Sequence, residues 1–584
     1  MMDRRKFLKA AGTVPAVIIA APSTAQATGT GPFLDHEQLA NRNGNRSTVA
    51  CQNGIICASQ PLAAMAGVDI LKAGGNCVDA AICVNAMLGL TEPHNSGIGG
   101  DLFAIVWSQR DRRLYGLNAS GRAPYEWNLT KAAERGLESI PGRSPLAWTV
   151  PGCVSGWGML NDRFGSRSLA RCLEPAIEYA EAGFPLSPII AGAFNWPTSP
   201  DNPNESLASV YRPEGRVPKF GEIFQNPQLA RSYRLIAEGG PAAFYEGEIA
   251  ARIVAKSDEF GGEMSLRDLA DHAANWVDPV STSYRGFDVW EIPPNGQGIT
   301  VLQMLNLLEH FDLGELEPNS AEHLHLLVEA KKLAFEDRAR YYADPDFVDV
   351  PVDWLISKDY AAERVKLIDP LRASRDVGPG DPELDSDTIY MTAADSDGNM
   401  ISLIQSLYWT FGSRLCPDGV GFAMHNRGAS FSLDPEHPNR LEPHKRPFHT
   451  LIPAFVTEAD RPLLSFGVMG GAFQPQGHCQ VLMNMFDFGM SPQQGGDQPR
   501  VEHVGSSDPS TGPRSGGGTL FFERGIRNDV KLKLAEMGHQ ISGGGPGYRE
   551  GWAAGGYQAI WRTDDPRIYF GGSDPRKDGA ALGY

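Results

Sequence analysis

Beyond its first two dozen positions the chain holds no run of about 20 apolar residues, so nothing past that point can cross a bilayer as a helix. Cysteine is scarce: eight among 584 residues, at 51, 57, 77, 83, 153, 172, 416 and 479, with no C-x-x-C pair. That distribution argues against a zinc ribbon or a disulfide framework, although export would allow some to oxidise. Positive charge is in deficit, 52 Lys and Arg against 70 Asp and Glu, a formal net charge of −18. Such a field repels phosphate backbones and anionic headgroups, so no nucleic-acid or membrane partner is expected, and an anionic substrate would need a local cationic pocket. Neither a G-x-G-x-x-G fingerprint nor a P-loop is present, and His94, His425 and His449 lack metal spacing, so neither cofactor nor metal is expected. Gly152-Cys153-Val154-Ser155-Gly156 misses the G-x-S-x-G elbow, and Ser155 reads as packing. Asp395-x-Asp397 fails the calcium-loop spacing and reads as a turn.

What is there is globular. Hydrophobic residues make up 42% and charged residues 21%, enough for a large core in a chain of several domain-sized units. Arg4-Arg5, the apolar stretch Val14 to Ala21 and Ala25-Gln26-Ala27 read as an export signal over 1–27, resembling the twin-arginine type; periplasmic or secreted protein is expected. A polar linker, 28–48, follows. Ile70 to Leu88 is small and apolar all round, as one buried helix would be. Ser320 is placed to cap a helix carrying Leu324, Leu327, Val328, Ala334 and Phe335.

Between Arg372 and Asp387 the composition turns to Pro, Gly, Ser and Asp, and then the period switches from helical to β. Thr388 to Ala394 and Met400 to Leu407 read as strands of a hairpin, with Gly398 at the left-handed position of the turn. With a three-residue loop, Asp395 pairs with Asn399 and Thr388 lies opposite Ser406; a two-residue loop shifts Ser406 by one place. Gly470-Gly471, after the strand-like Leu463 to Val468, offers backbone N–H groups suited to an oxyanion.

Gly74-Gly75-Asn76-Cys77-Val78-Asp79, Glu92 to Gly100, the Asp387-Thr388 junction, Lys445-Arg446-Pro447 and Gly470-Gly471 together resemble the γ-glutamyltransferases, in family order from about residue 50 onward. The resemblance implies an α+β fold, the four-layer αββα sandwich of the N-terminal nucleophile hydrolases. It also implies a proenzyme cut between Asp387 and Thr388 into a large subunit, 49–387, and a small subunit, 388–584. Thr388 would then be both nucleophile and, through its new α-amine, base, with Ser406 steadying its hydroxyl and Gly470 and Gly471 holding the oxyanion. An α-amine titrating near 7.7–8.0 is partly neutral at working pH.

Three departures bear on the substrate. Where family members that act on glutathione clamp a carboxylate with arginine, this chain has Ser120, with Arg122 two residues on; Tyr408 replaces an asparagine; and Ser430, near Arg427, replaces the acid that meets an α-ammonium. His449-Thr450 stands where the family has a serine pair. These changes resemble the acylase-like branch, glutaryl-cephalosporin acylases and oxamate amidohydrolases. They imply an amide substrate with a nearby carboxylate and no α-ammonium, held by Arg427 or Arg122. Ordinary γ-glutamyl transfer or glutathione hydrolysis, and an exported binding protein or unprocessed inactive relative, remain the alternatives.

Overall fold

A computed structural model describes residues 46–195, 205–212, 214–374, 386–510, 517–542 and 554–584. The segment expected to be an export signal, nearly all of the 28–48 linker, the Pro/Gly-rich segment before Ser386 and the Asp387 side chain lie outside the described residues.

Two seven-stranded antiparallel sheets face each other. The strands that matter for the site are β1 (Gly54–Ala58), β2 (Asp101–Ser108), β3 (Arg113–Ala119), β4 (Phe287–Glu291), β5 (Ser386–Asp395), β6 (Met400–Trp409), β7 (Ala454–Glu458), β8 (Arg461–Met469) and β9 (Gly556–Arg562). The first sheet runs Ala580–Gly583, β1, β5, β6, β2, β3, Asn275–Val277; the second runs Val49–Cys51, Tyr569–Ser573, β9, β8, β7, β4, Val280–Tyr284.

Side-chain alternation builds the layers. On the first sheet Ile56, Ala58, Leu102, Ala104, Ile389, Met391, Ile401 and Leu403 pack outward among helices that include α1 (Pro61–Lys72) and α2 (Cys77–Thr91). Their neighbours Ile55, Phe103, Ile105, Tyr390, Met400 and Ile404 face inward, against Phe455 and Ile560 of the second sheet. The outer face of that sheet is covered by α3 (Gly298–Leu308), α4 (Ala321–Tyr341) and α5 (Gln474–Phe486). The result is helix, sheet, sheet, helix.

Ser320 caps α4 through the His323 N–H, as its position implies. The stretch from Ile70 to Leu88, expected as one helix, is two. Gly74 adopts φ +80°, and the Asn76 side chain accepts from the N–H groups of Val78 and Asp79 while Asp79 reaches back, so a capping box starts α2 where α1 has ended. All eight cysteines are free, and all but Cys51 are buried.

Candidate active site

The hairpin β5–β6 follows the three-residue turn: Asp395 N–H donates to Asn399 O at 3.1 Å, and Gly398 takes φ +90°. From Ile389, paired with Gln405, to Ala394, paired with Met400, the register is the one that would set Thr388 against Ser406. At Thr388 itself the ladder shifts, so that Asp387 pairs with Tyr408 and Ser386 with Trp409. The irregularity re-aims one side chain at the end of the sandwich, a usual use of a bulge.

Thr388 is buried, and its Oγ1 donates to Ser406 Oγ at 3.2 Å. Ser406 Oγ also accepts from the Tyr408 N–H at 2.7 Å, which fixes the hydroxyl from its far side. Tyr408 takes φ +78°, a left-handed backbone that costs a side-chain-bearing residue about 1–2 kcal/mol and so marks a constrained site. The tyrosine ring lies 4.1 Å beneath the Arg427 guanidinium.

Arg427, in the short 3-10 turn Arg427–Ser430, is 1% exposed. Its Nη1 donates to Thr450 Oγ1 at 2.9 Å. Among the described residues its Nε and Nη2 have no partner, nor do Ser430 Oγ and Asn426 Nδ2 beside it. Burial lowers the guanidinium only to about 10, so it stays a cation at neutral pH. Four unmet polar atoms, three of them obligate donors, therefore gather around one buried positive charge.

β8 ends at Met469 and the chain turns through Gly470, φ +126°, and Gly471, φ +56°, into the 3-10 turn Gly471–Phe473, which contacts β5. Gln297, just before α3, donates from Nε2 to both Thr450 O (2.9 Å) and Gly471 O (2.8 Å). Contacts thus run from Thr388 through Ser406, Tyr408, Arg427, Thr450 and Gln297 to Gly471.

Arg122 is engaged elsewhere. Its guanidinium pairs with Asp344 and Asp346 and donates to His444 O, so it is a brace between loops rather than a free cation. Ser120 Oγ donates to Asn118 Oδ1 at 2.7 Å, and Ser120 O accepts from Arg446 Nε. His449 Nδ1 accepts from the Leu451 N–H, which leaves Nε2 to donate to Asp101 Oδ2 at 3.0 Å. Burial, with Arg427 nearby, pushes His449 down to about 3, so it is neutral. Ser155 Oγ accepts from the Ala274 N–H, a packing role.

The model of the γ-glutamyltranspeptidase family matches residues 63–584. The chain belongs to that family. It is 38% identical to the glutathione hydrolase-like YwrD proenzyme of Bacillus subtilis over 544 residues, covering 92% of this chain and all of that one. Identity to the oxamate amidohydrolase proenzyme of Klebsiella pneumoniae is 31%, covering 91% of this chain and 98% of that one. The crystal structure of a cephalosporin acylase from Bacillus halodurans superposes with a TM-score of 0.84 at 40% identity, over 93% of this chain and 98% of the other. The γ-glutamyltranspeptidase-family chain is accordingly an enzyme of the N-terminal nucleophile hydrolase fold, with amidohydrolase or acyltransferase activity. Among the described residues no helix is long and apolar enough to cross a membrane.

Sequence reasoning missed the hub that holds this candidate site together. Asp101, the Cα partner of Ser406 on β2, is wholly buried and accepts from the N–H groups of Gly121 and Gly152 and from His449, with His425 Nδ1 at 3.5 Å. Burial alone would raise its carboxyl, but His425, His449 and Arg427 hold it well below the usual carboxylate range. Its place directly after Gly97-Ile98-Gly99-Gly100 was the available signal. Apart from the site, His325, Glu329 and His539 converge, but His325 Nδ1 and His539 Nε2 already share a hydrogen bond and Glu329 is held by Lys332 and the Ser374 N–H.

Proposed function

We propose that this γ-glutamyltranspeptidase-family enzyme cuts itself on the amino side of Thr388 and then hydrolyses, or transfers from, an amide whose acyl group carries a carboxylate and no α-ammonium. In the precursor the Thr388 hydroxyl attacks the Asp387 carbonyl, and water resolves the resulting ester. The freed α-amine then takes the proton as the same hydroxyl attacks the substrate amide, and the acyl-enzyme passes to water or an amine. Ser406 Oγ positions the attacking oxygen. The N–H groups at Gly470 and Gly471 stabilise the tetrahedral oxyanion, a role in which one donor commonly contributes about 2.7–4 kcal/mol.

The observation that carries the substrate reading is Arg427, buried, cationic and with two of its three nitrogens unmet. An α-ammonium brought beside it would meet a like charge, and Asp101, a buried carboxylate whose charge acts on Arg427, already accepts from two backbone N–H groups and His449. Burying such an ammonium unpaired is strongly unfavourable. Periplasmic or secreted placement after signal removal belongs to the same proposal and rests on the sequence alone.

The test is denaturing gel electrophoresis of the purified protein together with hydrolysis of a γ-glutamyl anilide, a glutaryl anilide and oxamate. Two bands and preference for a substrate without the α-ammonium support the reading. A single full-length band sinks the processing step, and preference for the γ-glutamyl anilide sinks the pocket argument.

A further inference from the structure

The two adjacent glycines of the oxyanion turn have the softest backbone a chain can offer, so the orientation of their N–H groups must be restrained from outside. Gln297 supplies a restraint. It is completely buried, its Nε2 gives one hydrogen to Gly471 O and the other to Thr450 O, and its Oε1 accepts from Arg338 Nη1 at 2.7 Å. The amide cannot be the other way round, because a flip would set a carbonyl oxygen against two carbonyl oxygens and an NH2 against a guanidinium. Arg338 is itself immobile: fully buried, 3.8 Å over the Phe335 ring and donating to Asp508 Oδ2.

Thr450 is also the residue whose hydroxyl anchors Arg427. One carboxamide therefore ties the oxyanion turn to the cationic pocket. We propose that Gln297 is a positioning residue that sets the separation between Arg427 and the Gly470–Gly471 N–H groups, and with it which acyl length is turned over. The inference rests on the functional reading above. An acyl group whose carboxylate spans that separation places its scissile carbonyl in the turn; shorter or longer diacid monoamides bind Arg427 but present the carbonyl badly. Because Gln297 touches no substrate, its loss should act on the rate of acylation rather than on capture of the anion.

Gln297→Met keeps the volume and removes all three hydrogen bonds; Gln297→Glu keeps the contact with Arg338 but turns a carboxylate oxygen toward Thr450 O and Gly471 O. Each is assayed with wild type on anilides of oxalic, succinic, glutaric and adipic acid. Inhibition by the free diacids reports capture of the anion. The expected result is a fall in kcat of roughly 10- to 100-fold on the best substrate, a flattened dependence on acyl length, and diacid inhibition constants within about 3-fold of wild type. Unchanged kcat, or parallel loss of kcat and diacid binding with the length preference kept, overturns the proposal. If Gln297→Met does not fold, Gln297→Glu decides alone. Should wild type instead prefer a γ-glutamyl or an uncharged amide, the substrate reading fails separately, and the kcat loss on that preferred substrate still judges Gln297.

Discussion

Replacing Arg427 by methionine tests the proposed hold on an anionic acyl group apart from the rest of the site. The unmet Nε and Nη2 lie on one edge of the guanidinium, the geometry that grips a carboxylate through two parallel N–H···O bonds. Hydrogen bonds to charged groups contribute about 1.5–3 kcal/mol each. Taking about 3–4 kcal/mol for the pair, to allow for non-additivity, predicts a loss of about 150- to 1000-fold in kcat/KM for a glutaryl anilide, at about 1.36 kcal/mol per tenfold. A butyryl anilide, the same length without the charge, should lose less than about 5-fold. Stability is held separately. Without Arg427, Asp101 keeps its two backbone N–H donors and His449, while Thr450 Oγ1 loses one donor, a cost of about 1 kcal/mol. The melting temperature of the variant should therefore stay within a few degrees of wild type. Equal losses on the two anilides, or a collapse in Tm with activity, would show that Arg427 is a structural prop and refute the reasoning.

Thr388→Ala should leave the precursor uncut and inactive, seen as one full-length band and no turnover on any amide; full maturation of that variant would sink the mechanism. Ser406→Ala removes the oxygen that accepts from both Thr388 Oγ1 and the Tyr408 N–H, and should slow maturation and kcat by about 10-fold or more with KM little changed, measured by timed gels and initial rates. Acid should destabilise the fold: burial pushes His449, His478 and His539 down to about 3. The unfolded chain then binds protons below about pH 6.5 that the folded chain refuses, so stability falls with falling pH by up to about 1.4 kcal/mol per unit for each histidine. Urea midpoints that stay flat from pH 7 to 4.5 would contradict this.

The hairpin was legible because its signals are local: strand formers on both sides, a glycine at the one turn position that needs positive φ, and polar hydroxyls at the far end. The same locality explains the misreading at Ile70 to Leu88. Apolar residues on all sides hide a helix break, and Gly74-Gly75-Asn76 near its start serves equally as part of a family motif and as a C-terminus followed by a cap. Arg122 illustrates a different limit. Its partners Asp344 and Asp346 lie more than two hundred positions away, and nothing near Arg122 distinguishes a bracing arginine from a substrate-binding one. Asp101 and Gln297 share that limit, because each gathers groups from segments that meet only when the two sheets close.

The placement of Thr388 also bears on how the molecule would tolerate the proposed cut there. β5 lies inside the first sheet, with β1 on one side and β6 on the other. From Met391 to Asp395 it is paired with β1, and from Ile389 to Ala394 with β6, so a new chain end at Thr388 stays anchored by a two-sided ladder. Ser386 and Asp387, the residues on the other side of the bond, pair only with Trp409 and Tyr408 of β6 across the register shift. On the proposed scission that short one-sided contact would lose its covalent support, whereas Thr388 would remain held by the strand behind it and by Ser406. The weak side would then leave and the strong side stay, freeing space beside Thr388 as its amine forms. Strengthening the departing side, for example by a disulfide between positions 386 and 409, should allow cleavage yet block turnover until a reductant is added; full turnover of the oxidised, cleaved protein would show that departure is not required.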